Sequence, residues 1–240
     1  MRLDGLRLLV VGASAGIGRG VAEHAIRGGA RVVVSARRAD RLDELDAHTV
    51  VGDVTRDDDC RRIVEEAVEH SGGLDAIVYT VGASPLLPLV DATSADWQAV
   101  FATNVIGAAQ VVAAAAPHLL ATDGRAVVLS SKAAADPFPH LSLYGTSKVA
   151  LDGLLRCLPK EFPGLRVTRV IVGNTAGTEF ADGWDADRLT ESIRHWAEIG
   201  VLGTGGLMTV DQVAESVIFA LTSAAHLTDL AVMDHETDVP

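Results

Sequence analysis

A short apolar run, Leu8-Leu9-Val10-Val11, passes directly into Gly12-Ala13-Ser14-Ala15-Gly16-Ile17-Gly18, and an amphipathic stretch follows at once. This junction constrains the fold more than any other feature of the chain. Glycines at these points let the backbone turn tightly and approach a bound group, while the helix behind them offers free N–H groups and a partial positive charge. Isolated glycines of this kind are often turn formers and nothing more. Set between a first strand and a first helix, they point to a pyrophosphate cradle. Its candidate residues are Gly12, Ser14, Ala15, Gly16, Ile17 and Gly18.

Short apolar runs recur at Leu6–Val11, Arg31–Ala36, Thr49–Val51, Ala76–Thr80, Ala126–Ser130 and Val167–Val172, and a weaker one lies near Leu227–Met233. Most lack polar-apolar alternation, as strands covered on both faces do. Helices are expected between them at Gly16–Arg27, Arg41–Leu45, Asp57–His70, Ser94–Leu120, Leu143–Leu158 and Val210–Ser223. Pro159 should end or kink the fifth of these. Such a βαβ order gives an α/β fold, a single doubly wound and mostly parallel sheet of about seven strands with helices on both faces. The whole chain, 1–240, reads as one domain. Residues 174–207 show no clear strand and carry Trp184 and Trp196. They follow the C-terminal end of a strand, where open α/β sheets bind ligands, so they are expected to form a substrate-covering lobe.

The chain carries 32 acidic and 20 Lys/Arg residues, a net charge of −12. That charge repels phosphate backbones and anionic bilayers, which argues against nucleic-acid or membrane partners. Any anionic ligand must then meet a local basic cluster. Cys60 and Cys157 fit neither a metal-binding spacing nor a CxxC pair, and no metal is expected. The N-terminal apolar run is too short for a signal segment, and no stretch reads as reaching the ~18 apolar residues of a membrane helix. A soluble, cytoplasmic protein is expected.

The strongest chemical signal is Tyr144-Gly145-Thr146-Ser147-Lys148. Tyr and Lys four apart share a helix face. A free phenol titrates near ~10, and a nearby ammonium favours its phenolate, so the pair can act as a general acid or base. Ser131 closes the fifth apolar run, thirteen residues before Tyr144, and a strand end brings its hydroxyl to the ligand-binding edge. Asn104 falls within a long helical stretch where asparagine has no propensity advantage.

The Gly-x-x-x-Gly-x-Gly spacing of Gly12, Gly16 and Gly18, with Asn104, Ser131, Tyr144 and Lys148 behind it, resembles the short-chain dehydrogenase/reductase family. The resemblance spans about Leu6 to Val172. It implies that Tyr144 exchanges a proton with the substrate oxygen and that Ser131 hydrogen-bonds that oxygen. Lys148 would bind the nicotinamide ribose and depress the Tyr144 pKa, and Asn104 would hold a water in a proton path. Arg37 and Arg38 stand at the end of the second strand, where an NAD-preferring site carries an acidic residue. Guanidinium groups suit the 2′-phosphate of NADP(H), the expected cofactor; solvated surface charges are the other reading. Asp53 and Val54 would contact the adenine, although Asp53 also suits a plain turn or cap. Gly82 would lie beside the ribose, with Thr80-Val81-Gly82 in place of the family's usual Asn-Ala-Gly. Gly173 follows a valine where the family has proline, and Thr175 or Thr178 would bond the carboxamide or diphosphate. The implied activity is NADP(H)-dependent interconversion of a small, fairly apolar carbonyl and its alcohol. The helices 94–120 and 143–158 would pair in a homo-oligomer. The departures at Thr80-Val81-Gly82 and Val172-Gly173 leave a second reading, a catalytically degenerate NADP-binding sensor or scaffold.

Overall fold

A computed structural model describes residues 3–202 and 206–234. Strands β1 (Arg7–Val11), β2 (Arg31–Ala36), β3 (His48–Val51), β4 (Ala76–Tyr79), β5 (Arg125–Ser131), β6 (Arg166–Val172) and β7 (Asp229–Val232) form one sheet. Their order is β3-β2-β1-β4-β5-β6-β7, and every pairing is parallel. Order reverses between β1 and β4, which opens a crevice at their C-terminal ends, the expected ligand edge of such a sheet.

The helices are α1 (Gly16–Arg27), α2 (Ala39–Leu42), α3 (Asp57–Ser71), α4 (Ser94–Phe101), α5 (Gly107–Ala121), α6 (Ser142–Glu161), α7 (Ala186–Glu198) and α8 (Val210–Thr222). Successive strand residues face opposite sides, so each strand feeds two cores. Leu9, Val11, Ile77, Tyr79 and Val128 pack with Ile63, Val111, Ala115 and Leu151 of α3, α5 and α6. Leu8, Val10, Val32, Val34 and Val127 pack with Val21, Ala22, Val213 and Val217 of α1 and α8. Burial on both faces is why the strands read as continuous apolar runs.

Several expectations are corrected. Pro159 neither ends nor visibly interrupts α6, which runs on to Glu161. Its missing N–H falls in the last turn, where only one intrahelical bond is lost, and Leu155 and Leu158 anchor that turn in the core. The second helix occupies Ala39–Leu42 rather than Arg41–Leu45. Helix α7, within the expected lobe, is capped by Asp185, whose carboxylate accepts from the Arg188 N–H at 2.8 Å. The long helical stretch is divided by a π-turn at Ala102–Ile106.

The 28 residues Ser94–Ala121, whose most apolar 18-residue window has mean hydropathy 1.7, are long and apolar enough to cross a membrane, contrary to the reading of the sequence. Alanine accounts for much of that hydropathy without a continuous run of large apolar residues. Val111, Val112, Ala115, Ala116 and Leu119 pack into the core against α3 and the sheet.

Candidate active site

The glycine loop joins β1 to α1 at the crevice. Gly12 sits at φ +99°, and the N–H groups of Gly12 and Ala13 donate to the Ser35 carbonyl of β2 at 2.8 and 3.2 Å. A Cβ on Gly12 would collide with the Thr80 hydroxyl, and one on Gly18 would collide with the Gly12 carbonyl. Thr80 Oγ1 donates to the Val11 carbonyl at 3.0 Å, pinning the loop to the end of β4. Ala15, the N-cap of α1, supplies no side-chain cap, and the first turn holds no acidic residue. The helix therefore presents uncapped N–H groups to the crevice, the donor set that suits a pyrophosphate. A dinucleotide fits the residues present.

Of the two arginines at the end of β2, only Arg38 reaches the loop. Its Nη2 donates to Ser14 Oγ at 2.9 Å and pairs with Glu179 Oε2 at 2.6 Å. Arg37 is exposed and makes no side-chain hydrogen bond among the described residues. Asp53 behaves as a turn residue, with Oδ1 accepting from Thr55 N–H and Thr55 Oγ1 at 3.0 and 2.9 Å. The Val54 side chain belongs to the core.

Asn104 lies in the π-turn and is fully buried. Its Oδ1 accepts from the Ala83 N–H at 2.8 Å, and its Nδ2 donates to the Ala83 carbonyl and to Ser147 Oγ, both at 2.9 Å. The π-turn shifts carbonyls out of the i→i−4 ladder. One of them, Thr103 O, accepts from the buried Tyr79 hydroxyl at 2.9 Å. The amide thus clamps the segment after β4 to α6. Gly82 is part of the same junction: a Cβ there would lie 3.5 Å from Lys148 Nζ and 3.9 Å from Asn104 Oδ1.

Ser131 ends β5, and its Oγ accepts from the Ala133 N–H at 3.2 Å. Lys148 is 3% exposed and donates to the Leu129 carbonyl at 2.9 Å. Burial pushes its pKa down to about 8, with Asp152, one helical turn further on, opposing the shift. Tyr144 is pushed up to about 12 by burial, and the Ser131 hydroxyl pulls the other way. In the free protein, burial therefore holds the phenol above its ordinary value, whatever the Lys148 charge contributes. Lys148 Nζ lies 5.6 Å from the Tyr144 ring centre and directs one of its three N–H donors to the Leu129 carbonyl of β5.

The segment 174–202 covers this floor. Phe180 packs on Tyr144, ring centres 4.6 Å apart, and on Trp184 at 5.2 Å. Trp184 Nε1 donates to the Ser84 carbonyl and Trp196 Nε1 to the Pro139 carbonyl, each at 2.9 Å. Lys132 Nζ donates to the Val201 carbonyl at 2.9 Å and Asn174 Nδ2 to the Leu202 carbonyl at 2.8 Å. Leu86, Phe138 and Trp196 form a small third core beneath it, with Tyr144 and Trp184 at its edge. His140 contacts Ser192 Oγ of α7 through Nδ1 at 2.8 Å.

Of the two threonines, Thr178 covers the phosphate loop, its Cα 3.5 Å from where a Gly16 Cβ would stand. Thr175 instead donates to the Gly173 carbonyl at 3.1 Å. Gly173 is glycine for packing, since a Cβ would press on Met233, Asp234 and Met208. Sequence reasoning named Thr80 only as a departure from the family pattern and gave no role to Ser147, Asp152 or Glu179. Ser147 could have been found by its place one turn from Tyr144; Glu179 has no local signal.

The chain matches the short chain dehydrogenase family over residues 7–189. Glycine betaine reductase ATRR of Emericella nidulans is 31% identical over 250 residues, covering 99% of this chain and 19% of that protein. 11-beta-hydroxysteroid dehydrogenase-like 2 of Arabidopsis thaliana is 30% identical over 220 residues, 85% of this chain and 71% of that one. 11-beta-hydroxysteroid dehydrogenase 1A of the same plant is 36% identical over 186 residues, 71% and 52% of the two chains. This chain thus spans about a fifth of the first relative and about half of the third. Among solved structures, a short-chain type dehydrogenase/reductase from Mycobacterium ulcerans has a TM-score of 0.86 at 24% identity, covering 97% and 90% of the two chains. An alcohol dehydrogenase from Thermococcus sibiricus, complexed with 5-hydroxy-NADP, has a TM-score of 0.81 at 21% identity, covering 97% and 98%. These two structures share the fold. With the glycine loop, the parallel sheet and the match over residues 7–189 in agreement, the chain belongs to the short-chain dehydrogenase/reductase family of oxidoreductases.

Proposed function

We propose that this protein is an NADP(H)-dependent oxidoreductase that interconverts a carbonyl and an alcohol, with Tyr144 as its general acid and base. The observation that carries the reading is convergence. Ser131, Tyr144 and Lys148 meet at the C-terminal edge of β5, and Gly82 brings the end of β4, beside the phosphate loop, against Lys148.

Gly12, Ser14, Gly16 and Gly18 would hold the pyrophosphate, Arg38 the 2′-phosphate, and Lys148 and Gly82 the nicotinamide ribose. The bound nicotinamide supplies or accepts the hydride. Tyr144, protonated at neutral pH, donates a proton to the carbonyl oxygen during reduction. The Ser131 hydroxyl hydrogen-bonds the same oxygen as negative charge develops on it. In oxidation Tyr144 takes the alcohol proton, and the Lys148 ammonium stabilises the phenolate. Asn104 holds the segment after β4 and Ser147 in register with α6, which keeps Gly82 against Lys148.

The aromatic roof of Phe180 and Trp184 suits an apolar substrate, and the relatives named as hydroxysteroid dehydrogenases favour a bulky alcohol or ketone. Ile106 and Val149, each 51% exposed, are apolar side chains at the start of α5 and on α6, which favours a homo-oligomer through these helices. The covering of Tyr144 by Phe180 is what favours the alternative, a non-catalytic cofactor sensor.

Titration with NADPH and NADH, followed by nicotinamide fluorescence, tests the cofactor assignment. The expected result is NADPH binding at least about tenfold tighter, the scale of one charge-assisted phosphate contact. Equal affinities would place Arg38 outside the cofactor site. Binding without turnover on any ketone screened would move the sensor reading ahead.

A further inference from the structure

The strap over the phosphate loop carries a carboxylate at the place assigned to the 2′-phosphate. Glu179 lies 2.6 Å from the Arg38 guanidinium, whose Nη2 also holds Ser14 of the glycine loop at 2.9 Å. Thr178, its neighbour, covers Gly16, and Phe180, on its other side, covers Tyr144. Gly177 at φ +76° and Gly183 at φ +84° bracket these residues. Backbone in that region is open to glycine and strained for other residues, so two hinge-capable points flank a five-residue strap. A cavity of about 460 Å³ opens beside it, lined by Gly16, Gly20, Ala176, Gly177 and Val210.

We propose that Glu179 is a specificity-determining residue: its carboxylate occupies the Arg38 seat in the free protein, and the 2′-phosphate of NADP(H) must displace it. This rests on the assignment of Arg38 to that phosphate. The guanidinium fork can serve only a limited number of anionic oxygens, and a phosphate dianion beside a carboxylate adds repulsion. Displacement lifts Glu179 from Arg38 and, through the short strap, Phe180 from Tyr144. An NAD(H) molecule, lacking the phosphate, has nothing to exchange for Glu179 and leaves the strap down.

The pair is partly exposed, with side chains 44% and 35% accessible, so the competition is modest. Isothermal titration with 2′,5′-ADP, NADPH and NADH on wild type, Glu179→Gln and Arg38→Ala tests it. Glu179→Gln should bind 2′,5′-ADP and NADPH about three- to tenfold tighter, the range of an exposed ion pair with added repulsion removed, and NADH unchanged. Unchanged or weaker NADPH binding by Glu179→Gln, in a wild type that prefers NADPH, overturns the exchange while the cofactor assignment stands. If wild type shows no preference and Arg38→Ala changes neither cofactor, the assignment itself fails. Glutamine keeps the shape of the side chain at this exposed position, and thermal denaturation of each variant separates binding losses from unfolding.

Discussion

Beneath the crevice, the reacting groups are fixed by buried contacts from regular elements; above it, a roof hangs from single hydrogen bonds made by loops and by α7. Asn104 alone makes three bonds, all to groups 21 or 43 residues away in the chain, and Lys148 bonds β5 from within α6. The roof is fastened by Trp184 to Ser84, Trp196 to Pro139, Val201 to Lys132 and the half-exposed pair of Glu179 with Arg38. Each such bond contributes about 1 kcal/mol net, whereas a buried partner left unsatisfied costs the full desolvation of the orphaned group. The floor therefore holds a reaction geometry, and the roof selects and admits what reacts. Changes below should appear in kcat and stability, changes above in binding.

The largest expected effect is Tyr144→Phe. Loss of the phenol should lower kcat by about 10²–10⁴, the usual worth of a general acid, with cofactor affinity retained. Rates on any accepted ketone, alongside NADPH titration, check it. A matching loss of cofactor binding would make Tyr144 a binding residue and remove the floor's claim to the chemistry.

Asp152→Asn should come next and probes how the floor keeps its charge. Asp152 is 8% exposed and pairs with Arg169 at 2.6 Å; Arg169 in turn holds Asp229 of β7 at 2.6 Å. The titratable or charged groups bearing on Lys148 among the described residues are Tyr144 one turn before it, Asp152 one turn after, and Arg169 behind Asp152. Removing the carboxylate removes what opposes desolvation, so Lys148 should lose its proton below pH 8. Any limb of the kcat/KM profile that reports Lys148 then moves toward acid. The stability sign follows from the same shift. The folded pKa of about 8 lies below the ordinary 10.5, so the folded state binds fewer protons between them. Burying the ammonium destabilises the fold fully below about pH 8, and the penalty is relieved as pH rises to 10.5. In the variant that window opens at lower pH. Because Arg169 keeps Asp229, the loss of stability should fall at or below the low end of the ~3–5 kcal/mol typical of a broken buried pair. A pH profile identical to wild type beside a lowered stability would show that Asp152 acts on Arg169 alone.

The same division marks what could be read from the sequence. The strands were legible because burial on both faces leaves unbroken apolar runs, and the glycine loop because sterics at Gly12 and Gly18 exclude any side chain. Tyr144 and Lys148 were legible because one helix sets their spacing. The effect of Lys148 on Tyr144 was not, since the balance of desolvation and charge depends on depth, and depth is a tertiary property. The π-turn at Asn104 depends on partners at Ala83 and Ser147 that no local pattern announces. In the roof, α7 could have been inferred from its Asp185 cap, but the pairing of Glu179 with Arg38 joins residues 141 positions apart through loops. Sequence periodicity reports regular elements, so a site made of side-chain contacts between loops leaves almost no trace in it.

The smallest expected effect is Trp184→Phe, and it tests the roof where it touches the floor most closely. Phenylalanine keeps a ring against Phe180 and loses only the Nε1 bond to the Ser84 carbonyl. One neutral hydrogen bond is worth about 1 kcal/mol, so the substrate KM should rise about two- to fivefold with kcat within about twofold. Steady-state kinetics at saturating cofactor reads both constants. Ser84 follows Ala83, which Asn104 holds through two hydrogen bonds, so the bond also gives the roof a route to the floor. If kcat fell with KM unchanged, strain would be passing along that route into the reacting groups. The roof would then belong to the machinery it covers, and a division of labour between the two layers would no longer describe this site.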